Sequence, residues 1–378
     1  MKEQSLKEKL IVHRRFLHRV PELDRDLPKT TGYIRNYLAA LPCEIIPVAG
    51  GGFCALFKGG KADEGSPATA FRTDMDALPV TEENDVDYRS EHVGAMHACG
   101  HDGHMSIMLG FAGEVADSLG GLDRNVLLVF QPAEETTGGA KDIAASGIFE
   151  KYNTEKIFGI HLWPGYPKGS IICRDGDFMA STMVLYIGIK GQSAHIAQYK
   201  EGIDAIDAAC KFITRCYETE KNEVSPEVRR LLRFGLLISG NANNVVADTA
   251  LIEGTLRTYG EEVRDFLWGR MEEIAGDIGA RTGAKFTFRH SDPYPAVINP
   301  HALFSEAKNT LTKAGFEFIE PLEPLMIAED FSWYQRRLPG LFFHIGTGMT
   351  TPLHNPKYQI DEDALVTGVR AYKALLGI

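Results

Sequence analysis

Positive charge is what this chain most lacks. Forty Lys and Arg stand against 51 Asp and Glu, for a formal charge of −11. That balance argues against nucleic acid or an anionic membrane surface as a partner. The one basic cluster, Arg229, Arg230 and Arg233, is short and reads as a solvated helix face. Cysteine is sparse as well: six in 378 residues do not make a disulfide framework. No apolar run approaches the roughly 20 residues that span a bilayer. The opening MKEQSLKEKL has no apolar core of the secretory kind, so the expected setting is a reducing cytoplasm. Internal repeats and low-complexity segments are missing too. What is present is a globular composition, 44% hydrophobic and 24% charged, in a chain longer than one core usually serves. Two domains are the expectation.

The densest chemistry lies in MHACGHDGHM, residues 96–105, where His97, Cys99, His101 and His104 fall close together. Thiolate and neutral imidazole are favoured ligands of transition metals, and a Cys-x-His pair on a turn can aim both at one point. Beyond Asp102, the residues Met105, Met108, Leu109, Ala112, Val115 and Ala116 recur at helical spacing. Cys99 and His101 are therefore expected at a helix N-terminus, where the dipole would lower the thiol pKa.

Residues 4–20 form an amphipathic helix ended by Pro21, and residues 31–41 a second one ended by Pro42. Short apolar runs follow: FCALF (53–57), ATAF (68–71), VLLVF (126–130), KIFGIH (156–161) and LFFHI (341–345). They do not alternate, so they read as strands buried on both faces of a mostly parallel sheet in an α/β domain. Behind them come Asp74 and Asp76, then Glu134 and Glu135, then His161, then His354. Ligands of open α/β sheets bind outside the carboxyl ends of the strands. Carboxylates and imidazoles gathered at that edge predict a metal site. On a regular strand Glu134 and Glu135 would point to opposite faces. Pro132 interrupts the ladder before them, which allows both to turn inward. One could then ligate while the other moves a proton.

Residues 179–292 read as β-α-β-β-α-β, a ferredoxin-like order inserted between halves of the first domain (1–178 and 293–378). Its first helix is expected to place Ile203, Ile206, Cys210, Ile213 and Tyr217 along one apolar face.

HRRFLHRVPEL, TDMDALP, MHACGHDGHM, QPAEE, GIHLWP, AEDFSWY and LHNPKY, in this order, resemble the dinuclear-metal amidohydrolases of the aminoacylase and carboxypeptidase-G-like metallopeptidase family. The nearest branch holds hippurate hydrolase, indole-acetyl-amino-acid hydrolases and N-acetyldiaminopimelate deacetylase. The resemblance implies hydrolysis of N-acyl amino acids with two divalent ions per subunit, Mn or Zn, with Co or Ni also suited. It implies Cys99 as bridging ligand, His101, Glu135, His161 and His354 as the other ligands, and Glu134 as general acid/base. Asp74 stands where other branches carry a ligating histidine and is not assigned as a ligand. Asp76, His97 and His104 would support the ligands from behind. The inserted domain would be a lid and a homodimer interface, sending His195 into the partner's site, with Asn244 and Arg257 contacting substrate. Tyr199 stands where the family carries a proline. Within the same family a dipeptidase or an N-acetyldiaminopimelate deacetylase is the alternative. A metal-free binding scaffold would require a lost ligand or a lost Glu134, and none is missing. A thiol-nucleophile enzyme built on Cys99 finds no helper residues beyond the ligand set.

Overall fold

The computed structural model describes residues 2–378, so of the expected ranges only Met1 lies outside it. The chain divides into two compact units. One comprises residues 1–178, 298–323 and 330–378, the other residues 179–297 and 324–329. The second unit thus takes in 293–297 and a short return segment beyond the range expected from sequence.

The larger unit is built on eight strands. Their order is Glu44–Pro47, Phe53–Phe57, Asn125–Gln131, Ala68–Asp74, Thr154–Trp163, Gly340–Gly346, Ile171–Ile172 and Phe318–Ile319. The four central strands, from Asn125–Gln131 to Gly340–Gly346, run parallel, and antiparallel pairings lie toward the edges. Phe53–Phe57, Ala68–Asp74 and Gly340–Gly346 are buried along their whole length, which is why they lack alternation in the sequence. Ala68–Asp74 runs three residues beyond its apolar run, where Arg72, Thr73 and Asp74 are themselves buried. The helix His101–Ser118 packs on this sheet and is buried through most of its first three turns. Lys2–Arg19 and Ala364–Leu376 pack against it in turn.

The second helix spans Pro28–Leu38, three residues earlier at both ends than the spacing predicts. Pro28 suits the first helical turn, where its missing N–H costs nothing. The Glu22 carboxylate accepts the Lys29 and Thr30 N–H groups and fixes the start.

The smaller unit has strands Met183–Lys190, Arg230–Ser239, Thr249–Thr258 and Lys285–His290, with helices Ala205–Glu223 and Glu261–Thr282. Its antiparallel sheet runs Lys285–His290, Met183–Lys190, Thr249–Thr258, Arg230–Ser239, which is the ferredoxin-like arrangement. The helix Ala205–Glu223 buries Ala205, Ala208, Ala209, Phe212 and Cys216. Ile206 and Cys210, expected on the apolar face, are exposed. Small alanines let the helix lie close on the sheet, and that close approach outweighs the larger side chains. Arg230 and Arg233 lie on a strand rather than on the expected helix face.

Among the described residues no helix is long and apolar enough to cross a membrane.

Candidate metal centre

The parallel strands deliver their ends to one edge, where the expected residues of the larger unit meet. Gly100, in the left-handed region at φ 85°, turns the chain into the helix His101–Ser118, so Cys99 and His101 flank the turn. His161 lies near the end of Thr154–Trp163, paired in register with His344. His354 arrives on the loop after Gly340–Gly346, held by its N–H donating to the Ala98 carbonyl at 2.8 Å. Its φ of 64° is unusual for a residue with a side chain.

Donor atoms converge in overlapping sets, each within 4.8 Å: Cys99 with His101 and His161, and Cys99 with Glu135 and His354. A third set joins His101 to Glu134 and Glu135. Cys99 belongs to both of the first two, so its sulfur is placed where two ions could share it. The Cys99 Sγ lies 3.3 Å from His161 Nε2, and His354 Nε2 lies 3.3 Å from Glu135 Oε1.

The imidazoles are oriented as ligands need to be. His101 Nδ1 is 2.8 Å from the Asp76 carbonyl and His161 Nδ1 is 2.9 Å from the Leu162 carbonyl. A carbonyl only accepts, so each Nδ1 carries a hydrogen, and Nε2 is the nitrogen whose lone pair a metal could take. His101 Nε2 is buried with no hydrogen-bond partner among the described residues. A buried polar atom without a partner is costly, and a cation in reach of it answers that cost.

His104 also falls in a possible cluster, with Asp74 and His101, but its bonds exclude it. The Leu162 N–H donates to His104 Nε2 and His104 Nδ1 donates to Asp74 Oδ1, both at 2.8 Å. Neither nitrogen has a lone pair left. Asp74 in turn accepts from Arg72 through Oδ2 at 2.8 Å. Both residues therefore brace the site from behind. His97 is buried, and burial lowers its pKa to about 3, so it is neutral.

Asp76 braces differently. Oδ1 accepts the Glu134 N–H and Oδ2 the Glu135 N–H, each at 3.0 Å, so one carboxylate anchors both glutamates by their backbone. The strand Asn125–Gln131 ends before them, and the backbone turns at Ala133, whose φ is 60°. Pro132 marks the break in sequence; Ala133 makes the turn.

The electrostatics describe a cage that attracts cations. Burial opposes charge on His101, but Asp74, Asp76 and Glu135 outweigh it and raise its pKa to about 9. Burial would raise the Glu135 pKa, but His354 and His101 hold it below the ordinary value. For Cys99 the expected lowering is overturned. Burial pushes the thiol well above its ordinary range, and Glu135 and Glu134 add to the shift. Desolvation of a fully buried thiol beside carboxylates exceeds the effect of one helix terminus, so ionisation would need a metal cation at the sulfur.

Sequence reasoning passed over a second layer of buried charge. Arg72, fully buried, reaches Gln131, Asp74 and Asp330. Asp102, the residue after His101, is held by Arg14 and His18, and His18 also bonds Glu82. The signal was an arginine inside the apolar run ATAFRTD, and paired basic residues in HRRFLHR.

In the smaller unit, His195 and Asn244 lie on loops zipped together, with Ile196 N–H donating to the Asn244 carbonyl at 3.0 Å. The exposed His195 accepts the Ala197 N–H through Nδ1 at 3.1 Å, so its Nε2 carries the hydrogen and can donate outward. Arg257 donates to the Met326 carbonyl, and no carboxylate among the described residues pairs with it. Burial lowers its pKa.

Comparisons with known proteins agree with one another. A family model described as peptidase family M20/M25/M40 matches residues 70–377. YhaA of Bacillus subtilis (strain 168), provisionally named an amidohydrolase, is 35% identical over 374 residues, covering 96% of this chain and 92% of its own. An uncharacterized hydrolase of Staphylococcus aureus (strain USA300) is 34% identical over 372 residues, covering 96% of both chains. Among solved structures, the YXEP protein of Bacillus subtilis, described as a dinuclear metal binding peptidase from the M20 family, matches with a TM-score of 0.86 at 32% identity. That match covers 99% of this chain and 98% of the other.

Proposed function

Because the chain belongs to peptidase family M20/M25/M40, we propose that it is a metal-dependent amidohydrolase that splits N-acyl amino acids into a carboxylate and a free amino acid. The observation that carries this reading is the pair of donor sets sharing Cys99, with Glu134 beside the ligand glutamate in a third. Cys99, His101, Glu135, His161 and His354 would hold two divalent ions. Such ions lower the pKa of a water and polarise an amide carbonyl. A thiolate with imidazoles suits Zn, and the carboxylate also admits Mn, Co or Ni.

The protein's own groups would do the rest. Glu134, which is not one of the five proposed ligands, takes the proton of the attacking water and returns it to the leaving amine. Its N–H is anchored on Asp76, so its backbone is fixed before substrate arrives. His195 offers an outward Nε2–H, the donor that a developing oxyanion needs. Arg257 carries a charge that no carboxylate among the described residues answers, which supports a role in recognising the carboxylate of the amino acid product half. Asn244, on the loop paired with that of His195, would add a polar contact to substrate.

We further propose a homodimer formed through the smaller unit, with His195 acting in the partner's site. Arg230–Ser239 is a sheet edge, and Leu236, Leu237 and Ile238 on it are exposed, Ile238 by 58%. Exposed Ile206 lies against Gly240 at the end of that strand. An unpaired apolar edge is the kind of surface a second copy covers.

The test is a panel of N-acetyl, N-benzoyl and indole-acetyl amino acids, dipeptides and N-acetyldiaminopimelate, read by amine release from metal-reconstituted protein. The reading expects the N-acyl amino acids to be cleaved fastest. Cleavage of dipeptides alone would replace the substrate assignment.

A further inference from the structure

The segment Glu22–Arg25 supplies neither a ligand nor a base, yet it grips the turn that carries Glu134. Asp24 and Ala133 both have left-handed backbones, at φ 57° and 60°; aspartate visits that region more readily than most residues, whereas for alanine it is strained. They face each other: the Ala133 N–H donates to the Asp24 carbonyl at 3.2 Å. The Thr136 hydroxyl donates to Asp24 Oδ1 at 2.5 Å, and the Thr137 hydroxyl reaches the same oxygen at 3.5 Å. Arg25 holds Thr137 through Nε at 3.2 Å, and Gly50 and Asp142 through Nη1. Inside the turn, the Gly138 N–H donates to the Ala133 carbonyl at 2.9 Å. Gly139 passes so near that a Cβ on it would lie 2.0 Å from the Pro132 carbonyl.

We propose that Asp24 is a positioning residue for Glu134, a latch that holds the strained Ala133–Thr136 turn at its two ends while Asp76 holds its middle. Asp76 fixes the two glutamate amides. Asp24 fixes the residues immediately before and after the pair. With both ends of the pair tied, the backbone from which the Glu134 side chain departs is fixed, which narrows the positions its carboxylate can reach. Strain concentrated at one turn persists only where its surroundings over-determine it, and here those surroundings converge on the proposed proton carrier. This inference rests on Glu134 being that carrier.

The latch needs an acceptor oxygen at residue 24 and a backbone able to stay left-handed. Asp24→Gly keeps the backbone and removes the acceptor, whereas Asp24→Asn keeps both, since asparagine tolerates this conformation. The variants are assayed on the N-acyl amino acid cleaved fastest in the panel, with metal content by mass spectrometry and melting temperature measured alongside. Asp24→Gly should lose about tenfold in kcat, with KM and metal content unchanged. Asp24→Asn should recover to within about twofold of wild type. Should Asp24→Gly not fold, Thr136→Val breaks the same bond from the other side and should show the same loss in kcat. A wild-type kcat in Asp24→Gly or Thr136→Val overturns the proposal. So does a loss that tracks metal content, or an Asp24→Asn variant as slow as Asp24→Gly. Glu134→Gln is measured in parallel. If it is inactive while Asp24→Gly is normal, the latch alone fails. If it keeps full activity, the assignment of Glu134 fails, and the latch fails with it.

Discussion

Replacing Asp76 by asparagine exchanges one oxygen for an NH2 group in a side chain with no solvent exposure. Of the two amide bonds at 3.0 Å, asparagine can keep one and turns the other into donor facing donor. The lost charge-assisted bond is worth about 1.5–3 kcal/mol, and the orphaned N–H adds about 1–3 kcal/mol. Against this stands the cost of the buried carboxylate itself. Burial raises the Asp76 pKa from 3.8 to about 6, despite opposition from His101 and the two amides. An acid whose pKa is raised on folding is less favourably ionised folded than unfolded. A shift of that size corresponds to about 3 kcal/mol at neutral pH, which a neutral residue recovers. For the whole molecule the two effects largely offset, leaving a net cost between about zero and 3 kcal/mol, so the metal-free melting temperature should fall by no more than about 5 °C. For the turn there is no cancellation, because the Glu134 and Glu135 amides lose an anchor wherever the charge energy goes. A displacement of roughly 1 Å at a reacting group costs on the order of a hundredfold in rate. Calorimetry on metal-free protein and kcat on reconstituted protein, with metal content checked, separate the two. A kcat within about threefold of wild type at full metal load would refute this account of Asp76.

Glu134→Gln should keep its metal and lose roughly a hundredfold or more in kcat, whereas Glu135→Gln and Cys99→Ser should lose metal affinity. Equal metal loss in both glutamate variants would contradict the division. His18 donates from both ring nitrogens to carboxylates, Asp102 and Glu82. Burial opposes its charge, but Asp102 and Glu82 outweigh that and raise its pKa above 6.5. Its stabilisation is therefore full below about pH 6.5 and is lost as pH rises through the folded-state value. The stability gap between wild type and His18→Gln should narrow as pH rises above about 6.5, and a pH-independent gap would count against the charged pair. If His195 acts across a dimer, refolding His195→Ala together with Glu134→Ala should restore roughly a quarter of wild-type activity, since half the dimers then hold one intact site of two. No recovery from demonstrated heterodimers would place His195 in its own subunit's site.

Much of this was legible in the chain because buried parallel strands leave uniform apolar runs, and the chemistry follows directly after them. The strands ending at Asp74, Gln131 and Gly346, and His161 within the last residues of Thr154–Trp163, were found that way. The ferredoxin-like order of the smaller unit was readable from strand and helix periods alone. The errors have physical causes. Ile206 and Cys210 share a helical face by spacing, but Ala205, Ala208 and Ala209 take the buried one, because small side chains let the helix lie close to the sheet. The thiol was expected to be acidic because the helix terminus is visible in sequence, while the burial that reverses the shift is visible only in the fold. The left-handed backbone of Ala133 carries no sequence signal, since neither glycine nor asparagine marks it. The resemblance sets His104 apart from the ligand set, and the physical reason, Leu162 N–H and Asp74 occupying both its nitrogens, shows only in the fold.

Titrating chelator-stripped protein with Mn or Zn, and measuring bound metal and the rate of N-acyl amino acid hydrolysis at each step, tests the central claim most directly. The account predicts no activity without metal and a rate that rises until about two ions are bound per chain. Full activity in protein shown by mass spectrometry to be free of metal would contradict it.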